Sequence, residues 1–233
     1  MNPSEDNVPH VSSESFQDRI EAGTLLAERL RQYAGRDDVV VLGLPRGGVP
    51  VAAEIARALR VPLDVFVVRK LGVPGHEELA MGAIASGGVR VLNDDVVGDL
   101  ALGPEDIEPV AVREMAEIDR RERAYRGNLP PPDLRGRDVI LVDDGLATGS
   151  TMRAAATATR QQGASRTTIA VPVGPEAARN ALRREGHDVV SVATPEPFRA
   201  VGSWYRNFDQ TTDNEVRALL AEHARHRAGS TTR

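Results

Sequence analysis

Four bulky apolar residues in a row, Val139-Ile140-Leu141-Val142, constrain this chain more than any other feature. A run without polar alternation fits a strand buried on both faces, the habit of parallel sheets with helices on either side. Val39-Val40-Val41-Leu42 is a second such run. Each leads into a glycine-bearing loop and then a stretch with helical spacing. Further apolar runs fall at 63–68, 167–171 and 188–192. The alternation predicts an α/β fold, a doubly wound, mainly parallel sheet flanked by helices. With 233 residues the chain suffices for one such domain with additions.

Residues 15–224 read as that domain. The polar stretch 1–14, with Pro3 and Pro9, reads as a disordered tail, and 225–233 as another. A first helix is expected near Ser15, capped by Ser15 with Asp18 three residues on. Its apolar face would be Phe16, Ile20, Ala27, Leu30 and Tyr33. Arg19 is expected in an ordinary surface ion pair. Residues 93–137 form an insert whose long helix opens at Pro104. One face carries Ile107, Val110, Ala111, Met115, Ile118, Glu122 and Tyr125. Arg113, Arg120, Arg121, Arg123 and Arg126 are interleaved with Glu114, Glu117 and Asp119, which reads as a salt-bridged solvent face. A last helix is expected over 214–224.

Composition narrows the class. A net charge of −5 does not favour a broad nucleic-acid surface, so no nucleic-acid partner is expected. The absence of cysteine excludes disulfides and thiol catalysis, and cytoplasmic residence is the simple expectation. No apolar run is long enough to span a bilayer, so no membrane partner is expected. The N-terminus lacks the basic-then-apolar layout of a signal peptide.

The chemistry is concentrated after Val142. Asp143 and Asp144 arrive at the C-terminal end of the predicted strand, where open α/β sheets place their ligands. The loop Gly145-Leu146-Ala147-Thr148-Gly149-Ser150-Thr151 follows, then an alanine-rich helix. Glycines let backbone amides approach an anion, the hydroxyls add donors, and the helix start adds unpaired N–H groups and a positive dipole end. These parts suit a phosphate. Two carboxylates cannot share it, but they suit hydroxyls, a metal or a cation formed during reaction. A sugar phosphate satisfies both halves. A Walker-type loop is excluded, because no lysine precedes the hydroxyls, and the glycine spacing does not fit a dinucleotide fingerprint.

The full pattern, VILVDDGLATGST, resembles the phosphoribosyl-diphosphate (PRPP) binding motif of type I phosphoribosyltransferases. The resemblance implies transfer of a 5-phosphoribosyl group from PRPP to a nitrogen of a base or amine, a purine-like base being slightly favoured, with release of diphosphate. Asp143 and Asp144 would hold the ribose hydroxyls, and Gly145 to Thr151 the 5-phosphate. Mg²⁺ would be held mainly by PRPP oxygens, with Asp143 and Asp144 the protein groups at hand. The loop Leu44-Pro45-Arg46-Gly47-Gly48 alone reads as a tight turn. Beside the main motif, Arg46, Gly47 and Gly48 look like the diphosphate loop. Arg69 and Lys70, expected at the end of the 63–68 strand, would meet the leaving group as catalytic cations. Residues 71–79 would form a lid, though only His76 adds basic character after Lys70. Relatives close the site with a hood, here about 194–213. It holds Phe198, Trp204, Tyr205 and Phe208, half of a scarce aromatic complement of four Phe, three Tyr and one Trp. Phe198, Trp204 and Tyr205 are expected to stack on the acceptor; a small satellite core is the alternative. No motif supplies a general base, with Glu196 and Asp209 as hood candidates. Relatives are commonly homodimers. A rival reading is a non-catalytic sensor of PRPP or nucleotides on the same fold.

Overall fold

The computed structural model describes residues 15–127 and 129–230. In chain order the elements are α1 Arg19–Glu28, β1 Val39–Gly43, α2 Gly48–Leu59, β2 Leu63–Val65, β3 Val68–Val73, β4 His76–Ala85, β5 Val89–Leu92, α3 Asp94–Asp99 and α4 Pro104–Arg126. They continue with β6 Asp138–Val142, α5 Ser150–Gln161, β7 Arg166–Val173, α6 Glu176–Arg184, β8 Asp188–Ala193 and α7 Asp213–Ser230.

Five parallel strands form the main sheet in the order β2-β1-β6-β7-β8. The two bulky runs lie at its centre and bury both faces. Val39, Val41, Ile140 and Val142 pack with Leu26, Val51 and Ile55 from α1 and α2. Val40, Leu42, Val139 and Leu141 pack on the other side with Met152 and Ala155 from α5. Successive side chains point to opposite faces, so two apolar layers demand a run with no polar member. Strand β1 runs beside β6 with Val39 opposite Asp138 and Gly43 opposite Val142. The loops leaving these two strands therefore emerge side by side, at the edge where the topology changes direction. Leu44 N–H donates to Val142 O at 2.8 Å and ties them together.

The stretch 63–68 does not form one strand. Its parallel part stops at Val65, with Phe66 N–H still donating to Gly43 O at 3.0 Å. Val67 then pairs with Ser86, whose N–H donates to Val67 O and whose side-chain Oγ accepts from Val67 N–H, both at 2.8 Å. The chain leaves the main sheet here and builds an antiparallel one, β3-β4-β5. Arg69 and Lys70 thus lie inside β3 and not at the end of a parallel strand. The stretch expected as a lid is a β-hairpin turning at Pro74-Gly75. Helix α4 covers this sheet through Ile107, Val110 and Ile118 against Leu71, Met81 and Ile84.

Helix α1 is capped by Asp18, not Ser15: Asp18 Oδ1 accepts from Ile20 and Glu21 N–H at 2.9 and 3.0 Å. Ile20 is consequently exposed, whereas Phe16 is buried outside the helix. Helix α5 ends at Gln161 and is closed by Gly163, which has φ +87°. Ala164 N–H reaches Thr159 O and Gly163 N–H reaches Arg160 O, a Schellman arrangement. Helix α7 runs to Ser230, so 225–230 are helical where a disordered tail was expected. The expected tail 1–14, and 231–233, lie outside the described residues. No helix among the described residues is long and apolar enough to cross a membrane.

Along α4, Arg120 and Arg121 both bind Glu117, while Arg123 donates to Asp119 O. Arg126 differs. Its side chain is only 5% exposed and donates to Asp64 Oδ1 and Val65 O, both at 2.6 Å. Burial pushes the Asp64 carboxyl up, opposed by Arg126. Removing one member of a buried pair strands the other's charge. Arg126→Met is expected to lower unfolding free energy by about 3 kcal/mol in urea titrations.

Candidate active site

The carboxyl end of β6 delivers Asp143 and Asp144 into a cleft of about 240 Å³. Asp143, Asp144, the whole loop Gly145 to Thr151, Met152 and Val201 line it. The loop is pinned by Leu146 N–H donating to Val173 O at 2.8 Å. Gly149 occupies the N-cap of α5 with φ +81°, a conformation that favours glycine. Thr148 and Ser150 hydroxyls lie 3.2 Å apart over the helix start. The first turn of α5 leaves backbone N–H groups without helical partners, a ready anion site.

The loop after β1 presses directly on the acid pair. A Cβ at Gly48 would fall 2.5 Å from Val142 O and 2.8 Å from Asp143 Cα. One at Gly47 would overlap Asp144 Oδ2 outright. Glycine at both positions is what allows the two loops to touch. Asp144 N–H donates to Asp143 Oδ1 at 2.9 Å. Burial pushes the Asp143 carboxyl well above the usual carboxylate range, and the neighbouring Asp144 charge adds to this. Burial also raises Asp144, opposed by Arg19.

Arg19 is the residue that sequence reasoning underrated. It stands at the first turn of α1, where an arginine looks like surface. Its Nε and Nη2 donate to Asp144 Oδ2 at 2.9 and 2.8 Å, and its side chain is 12% exposed. Nη1 donates to Asp209 O at 2.8 Å. The placement follows from the backbone of residues 16 and 17, which pairs with the hood. Phe16 N–H donates to Trp204 O, and Arg206 N–H to Phe16 O, both at 2.8 Å.

The hood aromatics pack largely on one another. Phe198, Trp204 and Tyr205 share a cluster with Phe16, Ala22 and Val173. The Tyr205 ring lies 5.4 Å from Phe16 and 5.0 Å from Phe208. Tyr205 is buried, and its hydroxyl donates to Asp144 O at 2.5 Å. Burial, reinforced by the Asp144 charge, keeps that hydroxyl protonated. Tyr205 therefore supports the acid pair from behind and offers no open ring face. Phe208 is the exposed ring of the hood.

The expected cations do not converge on the cleft. Arg46 Nη1 lies 3.8 Å from Asp213 Oδ1, and Arg69 binds Glu114 at 2.8 Å. Lys70 faces a separate cavity of about 540 Å³, shared with Asp94, Asp95, Ser150, Thr151 and Arg153.

A model of the phosphoribosyl transferase domain matches residues 13–214, most of the chain and all of this site. The chain belongs to the phosphoribosyl transferase domain family. It is 50% identical over 205 residues to a Mycobacterium tuberculosis H37Rv protein named "Putative phosphoribosyl transferase Rv0571c", covering 88% of this chain and 46% of that one. The chain thus spans about half the length of the curated relatives it matches. TT1426 from Thermus thermophilus, known from its crystal structure, is 43% identical with a TM-score of 0.79, over 89% of this chain and 98% of that one. The doubly wound sheet is the fold of this family. Among the described residues no group of three or more His, Cys, Asp or Glu could hold a metal ion. Two adjacent carboxylates suit a Mg²⁺ that takes most of its ligands from substrate phosphates, and do not suit an all-protein cage.

Proposed function

We propose that this chain is an enzyme that moves the 5-phosphoribosyl group of PRPP to a ring or amine nitrogen and releases diphosphate. The observation that carries the reading is the continuity of Asp143-Asp144 with the loop Gly145 to Thr151 in one cleft, wedged against Gly47 and Gly48. The loop amides, the Thr148, Ser150 and Thr151 hydroxyls and the start of α5 bind the 5-phosphate. Asp144 Oδ2 is taken by Arg19 and Asp143 Oδ1 by the Asp144 amide. The second oxygen of each carboxylate accepts from a ribose hydroxyl. Mg²⁺, when bound with PRPP, supplies charge neutralisation at the diphosphate, with Asp143 and Asp144 the protein oxygens that would hold it.

Transfer passes through a ribose ring with oxocarbenium character, as glycoside cleavage does. Carboxylates fixed beneath that ring stabilise its developing positive charge, because they are oriented before the reaction starts. The Gly47 amide receives diphosphate at the facing loop, where the Gly48 N–H is already given to Leu44 O, and Arg46 reaches it only by leaving Asp213. Arg69 and Lys70 reach it only if the β3–β4 hairpin closes.

Incubation with PRPP, Mg²⁺ and a panel of bases and amines tests the reading. Diphosphate release dependent on one class of acceptor is expected. Tight PRPP binding with no release across the panel would replace the enzyme with a sensor on the same site.

A further inference from the structure

Arg46 has a resting partner outside the loop that carries it. The loop's backbone is closed on itself: Gly48 N–H donates to Leu44 O at 3.0 Å, and Val49 N–H to Arg46 O at 3.1 Å. Only the side chain is left to swing. Its Nη1 lies 3.8 Å from Asp213 Oδ1, with the two side chains 36% and 45% exposed. An ion pair that long and that open to water is weak and readily exchanged.

Asp213 stands at the start of α7, where an acid usually serves the helix. This helix start is already secured. Thr212 N–H donates to Glu215 Oε2 at 2.6 Å and Glu215 N–H to Thr212 Oγ1 at 3.2 Å, a complete capping box. The Asp213 carboxylate is turned instead to Tyr125, whose hydroxyl donates to Oδ1 at 3.0 Å. Tyr125 comes from α4 and is buried with Val49, Val65 and Val216, so this donor is fixed in place. Burial, with the Asp213 bond, pushes the hydroxyl up to about 12, and it stays a donor at neutral pH. The neighbouring Arg120 and Arg121 are both held by Glu117.

We infer that Asp213 is a positioning residue for Arg46, holding it at rest and competing for it with diphosphate, while Tyr125 keeps the carboxylate hydrogen-bonded whenever Arg46 leaves. This inference rests on the reading that places diphosphate beside Gly47. Arg46 turns to the diphosphate as it arrives, and Asp213 takes Arg46 back as it departs. The acid therefore sets how readily the product is released. The Tyr125 bond tempers that competition, because a carboxylate with a second donor pulls less strongly on the arginine.

Calorimetric titration of the full chain with inorganic diphosphate in Mg²⁺ tests this, with ribose 5-phosphate as a second probe that does not need Arg46. Asp213→Asn keeps the Tyr125 bond and loses the charge, and is expected to tighten diphosphate about 3-fold. Tyr125→Phe leaves Asp213 with Arg46 alone, and is expected to weaken diphosphate about 3-fold. Ribose 5-phosphate affinity is expected to stay within about 2-fold in both. In an Arg46→Met background, Asp213→Asn is expected to change nothing, because the two residues act through one contact. An Asp213 that merely braces the fold would weaken both probes when replaced. One that merely repels anions would tighten diphosphate in the Arg46→Met background as well. Either result would overturn the inference, as would no tightening in Asp213→Asn or no weakening in Tyr125→Phe. Diphosphate affinity that Arg46→Met alone leaves unchanged would instead overturn the parent placement of diphosphate at this loop.

Discussion

Replacing Asp143 and Asp144 together by asparagine is expected to weaken PRPP binding at least about 100-fold, read by calorimetry in Mg²⁺, while the chain still unfolds cooperatively. Two charged acceptors facing two ribose hydroxyls are each worth about 1.5–3 kcal/mol, so the loss is large even if asparagine keeps part of the geometry. The fold does not need the Asp143 charge, whereas loss of the Asp144 charge takes the carboxylate from Arg19 and costs stability. Asp143 is pushed well above the usual carboxylate range by burial and by its neighbour. The folded chain therefore holds that proton more tightly than the unfolded one. Its contribution to stability is greatest in acid, and is lost as pH rises from the ordinary carboxylate value to the raised folded value. Asp143→Asn alone is thus expected to melt higher than the parent at neutral pH and to flatten the pH dependence of Tm. A lower Tm at pH 7 would show that Asp143 is held by stabilising contacts that the geometry does not contain.

Gly48→Ala is the second large effect. The new Cβ would meet Val142 O at 2.5 Å and Asp143 Cα at 2.8 Å, both backbone atoms at the end of the central strand β6. No side-chain rotation relieves this contact, so the loop after β1 must lift away from β6. A cost of about 3 kcal/mol in stability is expected, with at least about 100-fold loss in kcat/KM for PRPP. Gly98→Ala is the control. Nothing lies within 4 Å of a Cβ there, and the site is helical, so stability is expected to hold or rise by about 0.5–1 kcal/mol. If the two alanine variants behaved alike, the close approach of the loops would not matter to the site.

The parts of the fold set by period and local chemistry could be read directly. Residues 39–42 and 139–142 have no polar member because each strand is packed on both faces, a property of the sequence itself. The acid pair and its loop are contiguous, so their proximity needed no tertiary information. The break at Phe66-Val67 did. Nothing local ends that strand; Ser86, about 20 residues on, captures the backbone of Val67. Arg69 and Lys70 moved with it, from a strand end into a hairpin. The role of Arg19 was equally hidden, because a partner 125 residues away decides whether an arginine in a first turn is surface or site. Aromatic composition located the hood but could not rank its members. Tyr205, expected to stack, is enclosed by Phe16 and Phe208, while Phe208 holds the open position.

The most direct measurement is a crystal structure of the chain soaked with PRPP and Mg²⁺. The expected result is the 5-phosphate on the amides and hydroxyls of 145–151, the ribose hydroxyls on Asp143 and Asp144, and the diphosphate beside Gly47 and Gly48. A well-ordered PRPP bound elsewhere, with Asp144 still contacting only Arg19, would contradict it.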